Sequence, residues 1–153
     1  MGEQMIRILG TPYEISLRIL LMLNEASGQS FTLDKIVAFD FIAIYARDFG
    51  LSKTNLHGYS SYRFGEFAGR RELVRSGIKQ LVLNATVIAM CAENGFEYSI
   101  SESGKNFASK MICGYAGAYQ ELITKALLEL GDESERSLYD IISQRTLDSL
   151  RKG

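Results

Sequence analysis

The chain has 153 residues, 46% of them hydrophobic and 23% charged, with a net charge of −1. This is enough apolar mass for one self-supporting core without disulfide or metal staples, and the composition is not that of a disordered chain. Cys91 and Cys113 show no CxxC spacing and His57 is the single histidine, which argues against a zinc site and a secreted disulfide scaffold and fits a reducing, cytoplasmic setting.

The opening "MGEQMIRILG" has no long apolar run, and no stretch reaches the roughly eighteen unbroken apolar residues of a membrane span. Met-Gly begins a myristoylation motif, but Ile6 stands where Ser or Thr is needed. Neither export nor a membrane anchor is expected. "MIRIL" reads as a short edge strand.

"GTPYEISLRILLMLNEASG" carries the start signals of a helix: Thr11 as N-cap, Pro12 at the first helical position, and Glu14 closing a capping box. Gly28 ends it. Apolar positions 15, 19, 22, 23 and 26 form one face and 13, 17, 20 and 21 thicken it, so the helix packs on more than one side. "FTLDKIVAFDFIAIYARDFG" predicts a central helix, capped by Thr32 and ended by Gly50, with apolar residues around the whole wheel. Asp40 in its middle is expected to be buried, and a buried carboxylate needs a partner or a raised pKa.

"YSSYRFGEFAGRREL" leads into a third helix, roughly 64 to 83, in which Phe64, Phe67, Val74, Ile78, Leu81 and Val82 share one arc at about 100° per residue. The same arithmetic places Arg71 inside the arc and Arg70 off it. A buried Asp40–Arg71 pair is therefore expected, with the remaining basic residues facing outward. "TVIAMCA", "ENG" and "FEYSIS" predict a hairpin around an Asn-Gly turn. Ser101 caps the next helix, which is read as continuing from about 104 to 130 with bends at Gly114 and Gly117. A last helix is expected from Asp132 with Glu135 in a capping box.

Three helices, a hairpin and a further helix are the order of a winged helix, in which the third helix is the usual reader and the hairpin the wing. The expected class is thus mostly α: a winged-helix core over residues 1–103, with C-terminal helices over 104–153 packed on it in a single compact unit. The stretch "LVLNATVIAMCAENGFEYSISESGKNFA" resembles the ending of many winged-helix domains.

His57 has no nucleophile beside it in a recognisable motif, and there is no HExxH, Walker loop or GxGxxG. No catalytic, cofactor-binding or metal-binding residue is assigned, and the protein is not expected to be an enzyme. Gly58, Gly65 and Gly69 are too irregularly spaced to cradle a phosphate, and Cys91 reads as a buried, inert thiol.

Residues 47 to 80 hold Arg47, Lys53, Arg63, Arg70, Arg71, Arg75 and Lys79 against Asp48, Glu66 and Glu72, a local surplus of four positive charges. With the whole chain near neutrality and an isoelectric point near 5.9, this patch suits an auxiliary contact better than a self-sufficient DNA reader. Arg63, Arg70, Arg75 and Lys79 are the candidates for a DNA-backbone contact. Tyr115, Tyr119, Leu122, Ile123, Leu127, Leu138, Ile141 and Ile142 give the C-terminal helices more apolar surface than one small core needs, and are the candidate partner interface.

The strings "NEASGQSFTLDKIVAFDFIAIYARDFG", "NLHGYSSYRFGEFAGRREL", "LVLNATV" and "GFEYSISESGKNF", with "TPYEISLRILLML" in front, resemble the middle component of bacterial ABC-three-component systems, the group to which Lamassu-type defence systems belong. The resemblance spans most of the chain. It implies a small accessory protein that works with an SMC-like ATPase and an effector, often a nuclease, bridging or regulating them while the complex senses foreign DNA. Catalysis then lies in the partners. The alternative is a stand-alone winged-helix transcription regulator that binds operator DNA as a dimer.

Overall fold

A computed structural model describes residues 12–56, 63–93 and 95–152. Helix α1 spans Pro12–Glu25 and is followed by a two-residue strand β1, Phe31–Thr32. Helix α2, Leu33–Ile44, is capped by the Thr32 hydroxyl, which accepts from the Lys35 amide. It passes into a 3-10 turn over Ala46–Phe49 that ends at Gly50 in the left-handed region (φ 73°), so the expected helix to residue 49 tightens after Ile44. Helix α3 covers Arg63–Leu83, and the hairpin consists of β2, Val87–Ala92, and β3, Gly95–Ile100. Helix α4 is Glu102–Ser109, α5 is Gly114–Leu130, and α6 is Glu135–Lys152. Thr11, the "MIRIL" segment, His57, Tyr59 and Tyr62 lie outside the described residues.

The strands form one antiparallel sheet in the order β1-β3-β2, with Phe31 opposite Tyr98 and Val87 opposite Ile100. Ala92 pairs with Gly95 (φ 119°), which opens β3, while Asn94 of the expected Asn-Gly turn lies outside the described residues.

Helix α3 ends on a turn of six residues that needs a left-handed residue after its cap. The Thr86 amide returns to the Leu81 carbonyl (3.0 Å) and the Ala85 amide to that of Val82 (3.0 Å), the two bonds of a Schellman motif. The left-handed position is held by Ala85 (φ 61°), where glycine is the usual occupant. Ser101 then caps α4 through the Gly104 amide (3.0 Å), and its hydroxyl also donates to the Ala85 carbonyl (2.6 Å). Gly104 lies so close to this turn that a Cβ on it would stand 2.1 Å from the Thr86 carbonyl oxygen.

The long helix expected over 104–130 is two helices. Chain 110–113 breaks it, and Cys113 restarts it as the N-cap of α5 by accepting from the Ala116 amide at 3.4 Å. Helix α6 begins at Glu135 with the Ser134 hydroxyl on the Ser137 amide (3.1 Å), rather than at Asp132, because the Glu135 carboxylate turns away to the Thr32 hydroxyl.

Helix α2 is the centre: every residue from Ile36 to Ile44 is buried. Ile19, Met22 and Leu23 of α1, Val74 and Ile78 of α3, Tyr119 and Ile123 of α5, and Leu138 and Ile142 of α6 join it in one hydrophobic cluster. Helix α1 meets α3 at close range, where Gly77 leaves room for Ile15 and Ser16 and accepts a hydrogen bond from the Ser16 hydroxyl (3.2 Å).

Candidate functional site

Asp40, on the central helix, is completely buried, as its position predicts. Its partner is Arg18 of α1. The Arg18 guanidinium donates from Nε to Oδ1 (2.8 Å) and from Nη2 to Oδ2 (3.0 Å), a bidentate pair, while the Tyr119 hydroxyl donates to Oδ1 (2.9 Å). Arg70 of α3 reaches Oδ2 at 3.5 Å. The remaining side of Arg18 faces Glu14, one turn earlier, and the Tyr115 hydroxyl links the two by donating to Glu14 and accepting from Arg18 Nη1 (3.3 Å). Two carboxylates, two guanidiniums and two phenols thus tie α1, α2, α3 and α5 together with no net charge.

The titration of these groups follows from that geometry. Burial alone would push Asp40 upward, but the charge and hydrogen bonds of Arg18, with Arg70 and Tyr119 behind them, outweigh it and hold the carboxyl well below the usual carboxylate range. Burial likewise works against charge on Arg18, and Asp40 and Glu14 overcome it, so the guanidinium stays protonated. Burial raises Tyr119 and Tyr115, and the neighbouring carboxylates raise them further. The cluster is therefore held in its charged, hydrogen-bonded state, with Glu14, Arg18, Asp40 and Tyr119 buried and Tyr115 and Arg70 at its partly buried edge, which suits a structural tie.

The expected Asp40–Arg71 pair is corrected. Arg71 is half-exposed and donates from Nε to Asp34 at 2.9 Å, with the Tyr139 hydroxyl on the same carboxylate oxygen (3.1 Å). Arg70 and Arg71 flank the apolar stripe of α3 on opposite edges, and only the Arg70 edge shares the side of Gly77 that touches α1. Periodicity places both residues next to the stripe; the choice between them depends on which edge meets α1 and α2.

The expected partner interface is corrected as well. Tyr119, Leu122, Ile123, Leu138 and Ile142 are buried by the chain's own helices, and Leu127 and Ile141 pack partly buried against the same core. Tyr115 belongs to the ionic cluster. The C-terminal helices supply the second layer of the core, so most of the expected interface residues are turned inward, while Leu128 of α5 and Leu147 of α6 stay exposed.

Of the four candidate DNA contacts, Arg70 is turned inward to Asp40, with 11% of its side chain exposed. Arg63 opens α3, but its side chain lies outside the described residues. Arg75 and Lys79 project into solvent, Arg75 with only a distant Glu72 at 3.8 Å. Both line a groove of about 280 Å³ between the end of α3 and one face of the sheet. Cys91, expected to be buried, is exposed on β2, because the outer part of the hairpin extends beyond the helices.

Among the described residues, no helix is long and apolar enough to cross a membrane and no group of three or more His, Cys, Asp or Glu could hold a metal ion. The architecture is that of a mostly helical protein with a small three-stranded antiparallel sheet, held together by a buried ionic cluster. Its family is shown by the sequence over nearly the whole of this fold: the chain belongs to the ABC-three component (ABC-3C) system Middle Component 2 family, whose model matches residues 8–152. It is thus one component of a multi-protein system. No curated protein and no solved structure matches the chain.

Proposed function

We propose that the protein is a non-catalytic, cytoplasmic accessory subunit of a bacterial defence complex of the Lamassu type, where it bridges or regulates an SMC-like ATPase and an effector nuclease. The observation that carries this reading is the family match over residues 8–152. The fold supports it through the order α1-β1-α2-α3-β2-β3 and the sheet order β1-β3-β2, which parallel a winged helix with β2 and β3 as the wing. The charged groups at the centre of the molecule also support it, since they are spent on one another and closed to a substrate.

DNA reaches such a complex mainly through the ATPase. Among the described candidate residues, Arg75 and Lys79 face solvent, and together they would give a salt slope of about 1.8 if each neutralised one phosphate. The second reading, a dimeric operator-binding regulator, draws on the same winged-helix order and on the exposed face of α3. Co-expression with the other components of its system separates the two. A stoichiometric complex with the ATPase, and a lone chain that neither hydrolyses substrate nor selects a palindrome, is the expected result. A lone dimer that binds one palindrome with a steep salt dependence and leaves the ATPase unbound would sink the proposal.

A further inference from the structure

The groove beside Arg75 and Lys79 has two properties that rarely occur together on an uncommitted surface. Its walls are apolar and open: Leu83 at the end of α3 is 69% exposed and Phe96 on β3 is 58% exposed, with Ala89 of β2 beside them. Its floor is the buried Ile78 and the half-buried Tyr98. Exposed apolar residues gathered into one concavity mark a binding surface, unlike the same residues scattered singly.

The second property is its charge. Among the described residues, none that lines the groove is acidic, so Arg75 and Lys79 form a positive rim along the α3 side. Glu97, the acid nearest in sequence to the β3 lining, alternates to the other face of the sheet and accepts from the Ser30 hydroxyl at 2.8 Å. Glu72 faces Arg75 only at 3.8 Å, and both side chains are more than 60% exposed, so solvent screens that pair.

An apolar trough with cations along one side is complementary to an amphipathic helix whose apolar ridge is flanked by acids, the helix-in-groove mode of recognition. A DNA backbone fits less well, because it would bring phosphates against Leu83 and Phe96 in exchange for two cations. An added strand would need the free edge of β2, which is not the groove. We infer that the α3–hairpin groove docks an acidic amphipathic helix from another protein of the system. This rests on the accessory-subunit reading for the source of the helix, but not for the chemistry of the groove.

The test uses a fluorescein-labelled amphipathic peptide of about 18 residues, roughly five helical turns, with a Leu ridge flanked by Glu, and a twin in which every Glu is Lys. The full chain should bind the acidic peptide saturably and at least about tenfold more tightly than the twin, and Arg75→Glu with Lys79→Glu should weaken it about tenfold. Ala89→Arg adds a positive charge but fills the trough, so binding should fall, whereas attraction by charge alone would rise. Lys125→Glu, on α5, should change nothing. The inference is overturned if the two peptides bind equally, if Ala89→Arg leaves binding intact or strengthens it, or if a DNA duplex binds with the same sensitivities and displaces the peptide. In co-expression, the two charge reversals should also reduce assembly with the other components. Failure of the parent chain to assemble would count against the accessory-subunit reading, while the peptide measurements decide the groove.

Discussion

Replacing Asp40 with alanine should remove a large part of the stability of this protein. The carboxylate is completely buried and accepts from Arg18 twice, at 2.8 and 3.0 Å, and from Tyr119 at 2.9 Å. Its loss leaves a guanidinium that is 1% exposed with Glu14 as its remaining charged partner, and a fully buried phenol without its acceptor. Stranding one member of a buried ion pair costs about 3–5 kcal/mol, and losing the acceptor for Tyr119 belongs to the same event, so the two costs are not summed. Against a typical total of about 5–15 kcal/mol, that is about a fifth or more. Urea denaturation of Asp40→Ala, followed by far-UV circular dichroism, gives the number directly. The double variant Arg18→Met with Asp40→Leu, compared with the single variants Arg18→Met and Asp40→Leu, should give a coupling energy of at least about 2 kcal/mol, while Glu14, left without Arg18, keeps part of the loss in place. A cost below about 1 kcal/mol for Asp40→Ala, or a double variant as unstable as the sum of the single ones, would show that the cluster is not the tie described above.

Arg71→Ala should cost no more than about 1 kcal/mol, because its pair with Asp34 is exposed, and Arg70→Ala should cost more through its contact with Asp40; equal losses in urea melts would contradict the assignment. Ala85→Gly should stabilise by about 1 kcal/mol by relieving the left-handed backbone, and a lower melting temperature would refute that. Gly104→Ala should destabilise by about 1–3 kcal/mol because the new methyl meets the Thr86 carbonyl, although alanine is the better helix former by about 1 kcal/mol; unchanged stability would show that the turn yields. Asp40 has a depressed folded pKa, so its contribution is present above the unfolded value near 3.9 and is lost as pH falls through the folded one. Tyr115, Tyr119 and Tyr139 have raised folded values, so their contribution is full below about pH 10 and is lost as pH rises beyond it. Denaturation midpoints measured across pH should show the alkaline loss, and Tyr119→Phe should reduce it.

The helices were legible because their signals are local. Thr32 and Ser101 are caps that the structure retains, and the continuous apolar wheel of α2 placed Asp40 in the core. The break at 110–113 was hidden because Met111 and Ile112 continue an apolar pattern and a cysteine cap is not a usual start signal. Arg18 was missed, although the same reasoning that buries Asp40 applies to it: the apolar residues at 15 and 19 to 23 leave α1 little outward face, and Glu14 waits one turn away. What the sequence cannot carry is which edge of α3 meets α1, since that is a relation between distant segments. The same limit misplaced the partner surface. An apolar helical face counts as surplus only if no other element covers it, and α1 and α2 cover those of α5 and α6.

The buried cluster and the groove are two ends of one helix. Arg70 anchors the first half of α3 to Asp40, Gly77 seats its middle on Ile15 and Ser16, and Arg75 to Leu83 form the wall of the groove. Hydrophobic side chains could fill the same space with equal stability, since desolvation offsets much of what a buried ion pair gains. They would accept neighbouring rotations of α3 almost equally well. A bidentate guanidinium does not, because its two bonds to one carboxylate fix both direction and distance. Arg70 extends that constraint to α3, and Thr86 and Ser101 carry it through the turn to the hairpin opposite, where Ser101 donates to the Ala85 carbonyl and its amide to that of Thr86. The wall that carries Lys79 and the wall that carries Phe96 are thereby joined by contacts within the chain, before any partner arrives. A surface whose geometry is fixed in advance binds without the cost of ordering itself.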